Sequence, residues 1–241
     1  MMQRHDAPDG DVGSLSSEDM DELLAAGEER GPGVPRGRLV VLEGIDGTGK
    51  SHVSRRVVEH LEAREVNAII TSEPTDGAVG RLIKKVTVEG VDPYTELFLF
   101  MADRADHVQW IAARMREGNW IICDRYAMSS AAYQGTYLEE EWETKGRDPV
   151  AWIMEMHRHW WIEPDLTVLI VDDIDRCLDR VDKRGPTTKF ERREYLERVQ
   201  ANYLRIAETS DGVVVVDDPD LDDITKGVLG RVEALLGRHQ V

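Results

Sequence analysis

From Arg38 onward the chain alternates between two hydrophobic rhythms. "RLVVLE" is a continuous apolar run of the kind buried in a parallel sheet, and "SHVSRRVVEHLEARE" then repeats Val53, Val57 and Leu61 at four-residue steps on one helical face. The couplet recurs. "VNAIIT" reads as a second strand, and "GAVGRLIKKV" sets Val79, Leu82, Ile83 and Val86 on one helical stripe. "DPYTELFLFMADRADHVQWIAARMREG" predicts a long helix, opened by Pro93 and closed at Gly118. "NWIICD", "DLTVLIV" and "GVVVVD" are the third to fifth strands, and "DPVAWIMEMHRHWWIE", "IDRCLDRV", "ERREYLERVQANYLRIAE" and "LDDITKGVLGRVEALLG" are helices. Strands separated by helices predict an α/β fold for 37–241, a three-layer sandwich with a five-stranded parallel sheet flanked by helices. There is no internal repeat.

Residues 1–36 break this rhythm. Gly, Pro, Asp, Glu and Ser dominate there, so the segment is expected to be an acidic, disordered leader. Within it "SSEDMDELLAAGEE" offers Ser16 or Ser17 as a cap and Leu23-Leu24 as an apolar patch, enough for one short helix. The length of 241 residues allows one domain that needs no disulfide or metal staple. Cys123 and Cys177 lack CxxC spacing and read as reduced, buried thiols. No apolar run of about 18 residues and no signal-peptide order are visible, so a soluble, cytoplasmic protein is expected. A net charge of −17 argues against binding a nucleic acid polymer or an anionic membrane with the whole surface, though it leaves room for a local basic pocket.

The chemistry begins with "GIDGTGKS", Gly44 to Ser51, which fits GxxxxGK[ST] and lies between a strand and a helix. Backbone N–H groups of Gly44, Ile45, Asp46, Gly47, Thr48, Gly49 and the residues that follow would surround phosphate oxygens. Lys50 would reach the β and γ phosphates, and Ser51 would offer a ligand to Mg²⁺. The expected ligand is a nucleoside triphosphate. The loop carries an acid, Asp46, where an anion must bind. No NKxD motif accompanies it, which speaks against a Ras-type GTPase.

"IICDRYAMSSAAYQG" places Asp124 and Arg125 at the carboxyl end of the third strand, the edge where ligands of open α/β sheets bind. Arg125 could clamp a phosphate bidentately or form a surface ion pair. Asp124 could hold Mg²⁺ or cap the next segment. "DRVDKRGPTTKFE" gathers Arg180, Lys183, Arg184 and Lys189 around a Gly-Pro break, suited to a basic lid near 180–190 or to a solvated helix end.

"LEGIDGTGKS", "FLFMADRADHV", "CDRYAMSSAAYQG", "PDLTVLIV" and "RVDKRGPTTKFE" together resemble the successive signatures of thymidylate kinases, from about residue 38 to the C-terminus. The resemblance implies a P-loop kinase fold, transfer of the γ-phosphoryl group of ATP to dTMP with Mg²⁺, and a homodimer. It also implies roles for residues. Arg180 and Arg184 match lid arginines; Phe100 matches an aromatic that stacks on thymine, although plain core is its rival; Arg104 matches an arginine that hydrogen-bonds the base. Tyr133 matches the residue that packs on the deoxyribose, with Ser130 and Gln134 lining the same turn. Glu73-Pro74 matches a family feature, and Asp46 falls near the 3'-hydroxyl and Arg125. Three departures stand out: Ser72 and His52 replace a common Arg and Thr, and Gly47 stands where one subgroup has Arg. His52 leaves one α-phosphate contact open.

The reaction class also follows from the acceptor's chemistry. A monophosphate with its second pKa near about 6 already presents an anionic oxygen at neutral pH, so the site must supply charge compensation and alignment rather than a base. The alternatives are a deoxynucleoside kinase with Glu73 as base, another monophosphate kinase, and a non-catalytic nucleotide-binding regulator. His157 and His159, two apart on a predicted helix, are expected at the surface or an interface, and the acidic stretch "TYLEEEWETKGRDP" has no derived role.

Overall fold

The computed structural model describes residues 37–182, 193–218 and 220–237. The expected leader and most of the expected lid, with Arg184, lie outside these residues. Five strands, β1 (Leu39–Glu43), β2 (Ala68–Ser72), β3 (Trp120–Asp124), β4 (Leu166–Ile170) and β5 (Val213–Val216), form one sheet in the order β2-β3-β1-β4-β5, every pairing parallel. The helices are α1 (Lys50–Glu62), α2 (Ala78–Glu89), α3 (Pro93–Arg116), α4 (Ala127–Glu143), α5 (Pro149–Arg158), α6 (Ile174–Asp182), α7 (Arg193–Thr209) and α8 (Leu221–Gly237).

The unbroken apolar run of β1 has a two-sided reason. Val40 and Leu42 join Val53, Val57 and Leu61 of α1 and Val228 and Val232 of α8 on one face. Leu39 and Val41 join Val108, Ile111 and Met115 of α3 on the other. Both faces are dry, so period-two alternation vanishes from the sequence. Truncating such a residue, Leu42→Ala for instance, would cost about 2–5 kcal/mol through lost transfer energy and the cavity left behind.

Long α3 starts as its residues predict. Asp92 caps it, its carboxylate accepting from the N–H groups of Tyr94 and Thr95, and Pro93 occupies the first turn.

Three elements differ from the sequence reading. The 17-residue α4 spans Ala127–Glu143, where only a turn was read at Ser130 and Gln134. Its first turns, "AMSSAAYQGT", are buried all round against α3, α5 and α7, so small residues replace an amphipathic stripe. Helix α5 ends at Arg158, before Trp160 and Trp161, and Trp161 stacks on Tyr126 with ring centroids 6.0 Å apart. Leu82, placed on the inward stripe of α2, is 45% exposed, while Ile83 beside it is buried.

The acidic stretch after Gly135 has a packing role. Glu139 accepts from Arg198 Nη2 and Asn202 Nδ2, each at 2.7 Å, and Asp148 caps α5 while pairing with Arg205 at 3.1 Å. These contacts tie α4 and α5 to α7.

Candidate active site

Strand β1 delivers the chain into Gly44–Gly49, and α1 begins at Lys50. Gly44, Gly47 and Gly49 have positive φ of 137°, 91° and 94°, which glycine adopts freely, and they lead into the N-terminus of α1, where free N–H groups suit an anion nest. Lys50 folds back over the loop, its Nζ donating to the carbonyls of Gly44 at 2.9 Å and Ile45 at 2.8 Å. Burial brings its pKa down to about 8; Arg125 adds to this, while Asp124, Asp46 and Glu43 pull the other way. Half-buried His52 lines the cavity in the loop's mouth. Gly47 packs directly on α6, and a Cβ there would lie 2.3 Å from the Cys177 carbonyl oxygen. A side chain at this position would clash with α6.

Arg125 is the centre of the site. Its backbone sits at φ 78°, a left-handed conformation uncommon outside Gly and concentrated at functional positions. Its Nη2 donates to Asp46 Oδ1 at 2.7 Å, its Nη1 to the Gly44 carbonyl at 3.2 Å, and its guanidinium lies 4.9 Å from the Tyr133 ring centroid. Tyr133 completes the cluster, its hydroxyl accepting from the Asp46 N–H at 3.1 Å. Burial works against the charge of Asp46, but Arg125 and Lys50 outweigh it and hold the carboxyl below its usual range. The acid in the loop therefore turns away from the nest and toward Arg125.

Beneath Arg125 lies fully buried Glu43, which accepts from the Tyr126 N–H at 2.9 Å, Ser129 Oγ at 2.6 Å and Tyr203 Oη at 3.1 Å. Burial raises its pKa against the opposing pull of Ser129, Arg125 and Arg104. A charged residue ending an apolar strand was the available signal for it. Nothing local marked Tyr203, which reaches the site from α7.

Ser51 Oγ donates to Asp124 Oδ2 at 2.8 Å. A hydroxyl and a carboxylate at the mouth of a phosphate nest are hard oxygen donors that fit Mg²⁺, which takes its remaining ligands from water and substrate phosphates. Among the described residues no three His, Cys, Asp or Glu side chains gather as a metal cage.

Two cavities meet at Asp46, Glu73 and Arg125. One of 420 Å³ is lined by the phosphate loop, Arg55, Ser72 and Asp124. The other, of 300 Å³, has mostly apolar walls including Pro74, Ile83, Phe100 and Tyr133, with Arg104, Ser130 and Gln134. Phe100 is half-buried on this wall rather than sealed in core. Ser130 Oγ is buried without a hydrogen-bond partner among the described residues, and Gln134 Nε2 donates to Glu96 at 3.2 Å.

Glu73 holds the floor between them. It accepts from Arg104 Nε at 2.7 Å and meets His107 Nδ1 at 2.9 Å, all three side chains buried. Arg104 also donates to the Tyr126 carbonyl at 3.0 Å and to His157 Nε2 at 2.5 Å. His157 is thus fully buried, against the surface expectation, while exposed His159 follows it. The two differ because His157 closes a polar network that α3 and α5 build together.

Arg180 sits beside the loop rather than free on a lid. Its Nη1 donates to the Gly47 carbonyl at 2.9 Å and to Asp172 Oδ2 at 2.5 Å, and Arg176 takes Oδ1 of the same carboxylate. Asp172 and Arg176 went unread because their meeting depends on the turn between β4 and α6.

Among the described residues no helix is long and apolar enough to cross a membrane. A family profile described as Thymidylate kinase matches residues 42–223. A probable thymidylate kinase of Methanococcoides burtonii is 41% identical over 204 residues, covering 83% of this chain and 98% of the relative. One from Pyrococcus horikoshii is 34% identical, covering 84% and 99%. The solved structure of thymidylate kinase from Candida albicans superposes with a TM-score of 0.68 at 22% identity, covering 83% of this chain and 92% of that one, which supports the fold. On the profile and these relatives, with the phosphate loop and its acid-arginine pair in place, the chain belongs to the thymidylate kinase family.

Proposed function

We propose how this chain, as a thymidylate kinase, transfers the γ-phosphoryl group of ATP to dTMP to give dTDP. The observation that carries the reading is the ion pair of Asp46 and Arg125 at the junction of two cavities, one with a phosphate nest and one with apolar walls. ATP phosphates occupy the nest of Gly44–His52, and Lys50 swings from the loop carbonyls to the β and γ phosphates. The base of dTMP enters the apolar cavity, where Phe100 stacks on it, the orphaned Ser130 hydroxyl and Gln134 meet its polar edge, and Arg104 presents a remaining N–H.

Arg125 clamps the acceptor phosphate at the junction, while Asp46 and Tyr133 lie against the sugar. The Asp46 carboxylate prevents Arg125 from swinging out and accepts from the 3'-hydroxyl. Glu73 has both oxygens engaged by Arg104 and His107, which speaks against the general-base role a deoxynucleoside kinase would need. Mg²⁺ near Ser51 and Asp124 supplies charge neutralisation between donor oxygens when bound. Arg180, tethered at Gly47, meets the transferring group from the α6 side. A cytoplasmic homodimer completes the proposal, its test being sedimentation of the purified chain.

A coupled assay with ATP, Mg²⁺ and a panel of nucleosides and monophosphates tests the function. The expected result is preferred turnover of dTMP; faster turnover of thymidine would overturn it.

A further inference from the structure

Among the described residues three cations line the 420 Å³ cavity: Lys50, Arg55 and Arg125. Lys50 is held by two loop carbonyls, and Arg125 by Asp46 and the Gly44 carbonyl. Arg55 is exposed and makes no hydrogen bond or ion pair among the described residues. An unpaired guanidinium at the edge of a phosphate cavity is a charge available to an anion.

Its position says which anion. Arg55 stands four residues after Ser51 on α1, so the two project from one side of the helix. Ser51 reaches Asp124, and Asp124 pairs in register with Ser72 at the carboxyl ends of β3 and β2. Arg55 thus lines the same cavity as Ser72 and Glu73, on the Ser51 side of α1. Ser72 brings no charge, and both oxygens of Glu73 are occupied by Arg104 and His107. That cavity is continuous with the apolar cavity through Glu73, Asp46 and Arg125. Asp46 and Asp124 also lie on the lining, so with Lys50 given to the ATP phosphates a dianion entering here relies on Arg55 and Arg125.

We propose that Arg55 is a binding residue for the acceptor's phosphate, which it holds from the α1 side while Arg125 holds it from the β3 side. The inference rests on the assignment of the two cavities to donor and acceptor.

Steady-state kinetics with the full chain, ATP and dTMP test it. Arg55→Ala is expected to raise the KM for dTMP about tenfold or more, with the KM for ATP changed less than about twofold. Adding Ser72→Arg to Arg55→Ala places a guanidinium on the opposite wall and is expected to recover most of the lost affinity. Circular dichroism melting of each variant checks that the fold is kept, and Arg55→Lys should fall between wild type and Ala. A rise confined to the KM for ATP, or no change in either KM, would overturn the role of Arg55 while leaving the kinase reading intact. A wild-type chain that does not turn over dTMP would overturn both.

Discussion

Arg104 Nη1 lies 2.5 Å from His157 Nε2, while Nδ1 of the same imidazole lies 2.7 Å from the Ile153 carbonyl oxygen. A carbonyl only accepts, so Nδ1 carries the hydrogen and Nε2 receives the arginine's N–H. The ring is neutral by geometry. Burial, then the charge of Arg104, brings its pKa from 6.5 to about 3.

That shift fixes a pH dependence. The folded pKa lies below the unfolded one, so the unfolded chain binds more protons between them; the contribution to stability is full above 6.5 and declines as pH falls toward 3. His157→Gln can still accept from Arg104 and does not titrate. Urea unfolding across this window should show a shallower pH dependence for the variant, by up to about 1.4 kcal/mol per pH unit. Equal slopes would remove His157 as the titrating group.

Arg125 is expected to be indispensable. Arg125→Ala should lower kcat/KM for dTMP by about two orders of magnitude or more, with ATP binding largely retained. Arg125→Lys should recover little, because one ammonium cannot span Asp46, the Gly44 carbonyl and a phosphate. Activity near wild type in either variant would dismiss the clamp.

The Ser51–Asp124 pair predicts a metal phenotype. Ser51→Ala and Asp124→Asn should each raise the Mg²⁺ concentration needed for half-maximal rate about several-fold, read from rate titrations at fixed ATP. An unchanged Mg²⁺ requirement in both would place the ion elsewhere.

Lys50 predicts proton uptake. With its pKa at about 8 in the free protein, the amine is mostly neutral at higher pH, and a bound polyphosphate favours the charged form. Calorimetry of ATP binding near pH about 8.5, repeated in buffers of different ionisation enthalpy, should report net uptake of up to about one proton. A buffer-independent enthalpy would contradict this.

Gly47→Ala should disable the loop. Its φ of 91° disfavours any side chain, and the new Cβ would meet the Cys177 carbonyl oxygen at 2.3 Å. Both melting temperature and activity should fall; a variant matching wild type in both would mean that the loop and α6 separate freely.

Legibility followed the range of the interactions involved. The strands and the phosphate loop were readable because periodicity and GxxxxGK[ST] spacing are local. Asp124 and Arg125 were readable because strand ends are where such sheets bind ligands. Helix α4 was not, since its burial comes from three neighbours and leaves no stripe to read. His157 gave no local sign, as its partner is Arg104, 53 positions earlier.

By itself the sequence determined the alternation of strands and helices, the phosphate loop and the residue types that could serve a monophosphate kinase, because each depends on neighbours within a few positions. Only the tertiary structure decided the direction of Asp46, the burial of His157, the junction of the two cavities and the place of Arg55, unpaired among the described residues, on the lining of one of them. Those depend on groups that the parallel crossovers bring together from distant segments. Asp46 and Arg125 are 79 positions apart along the chain and 2.7 Å apart in space.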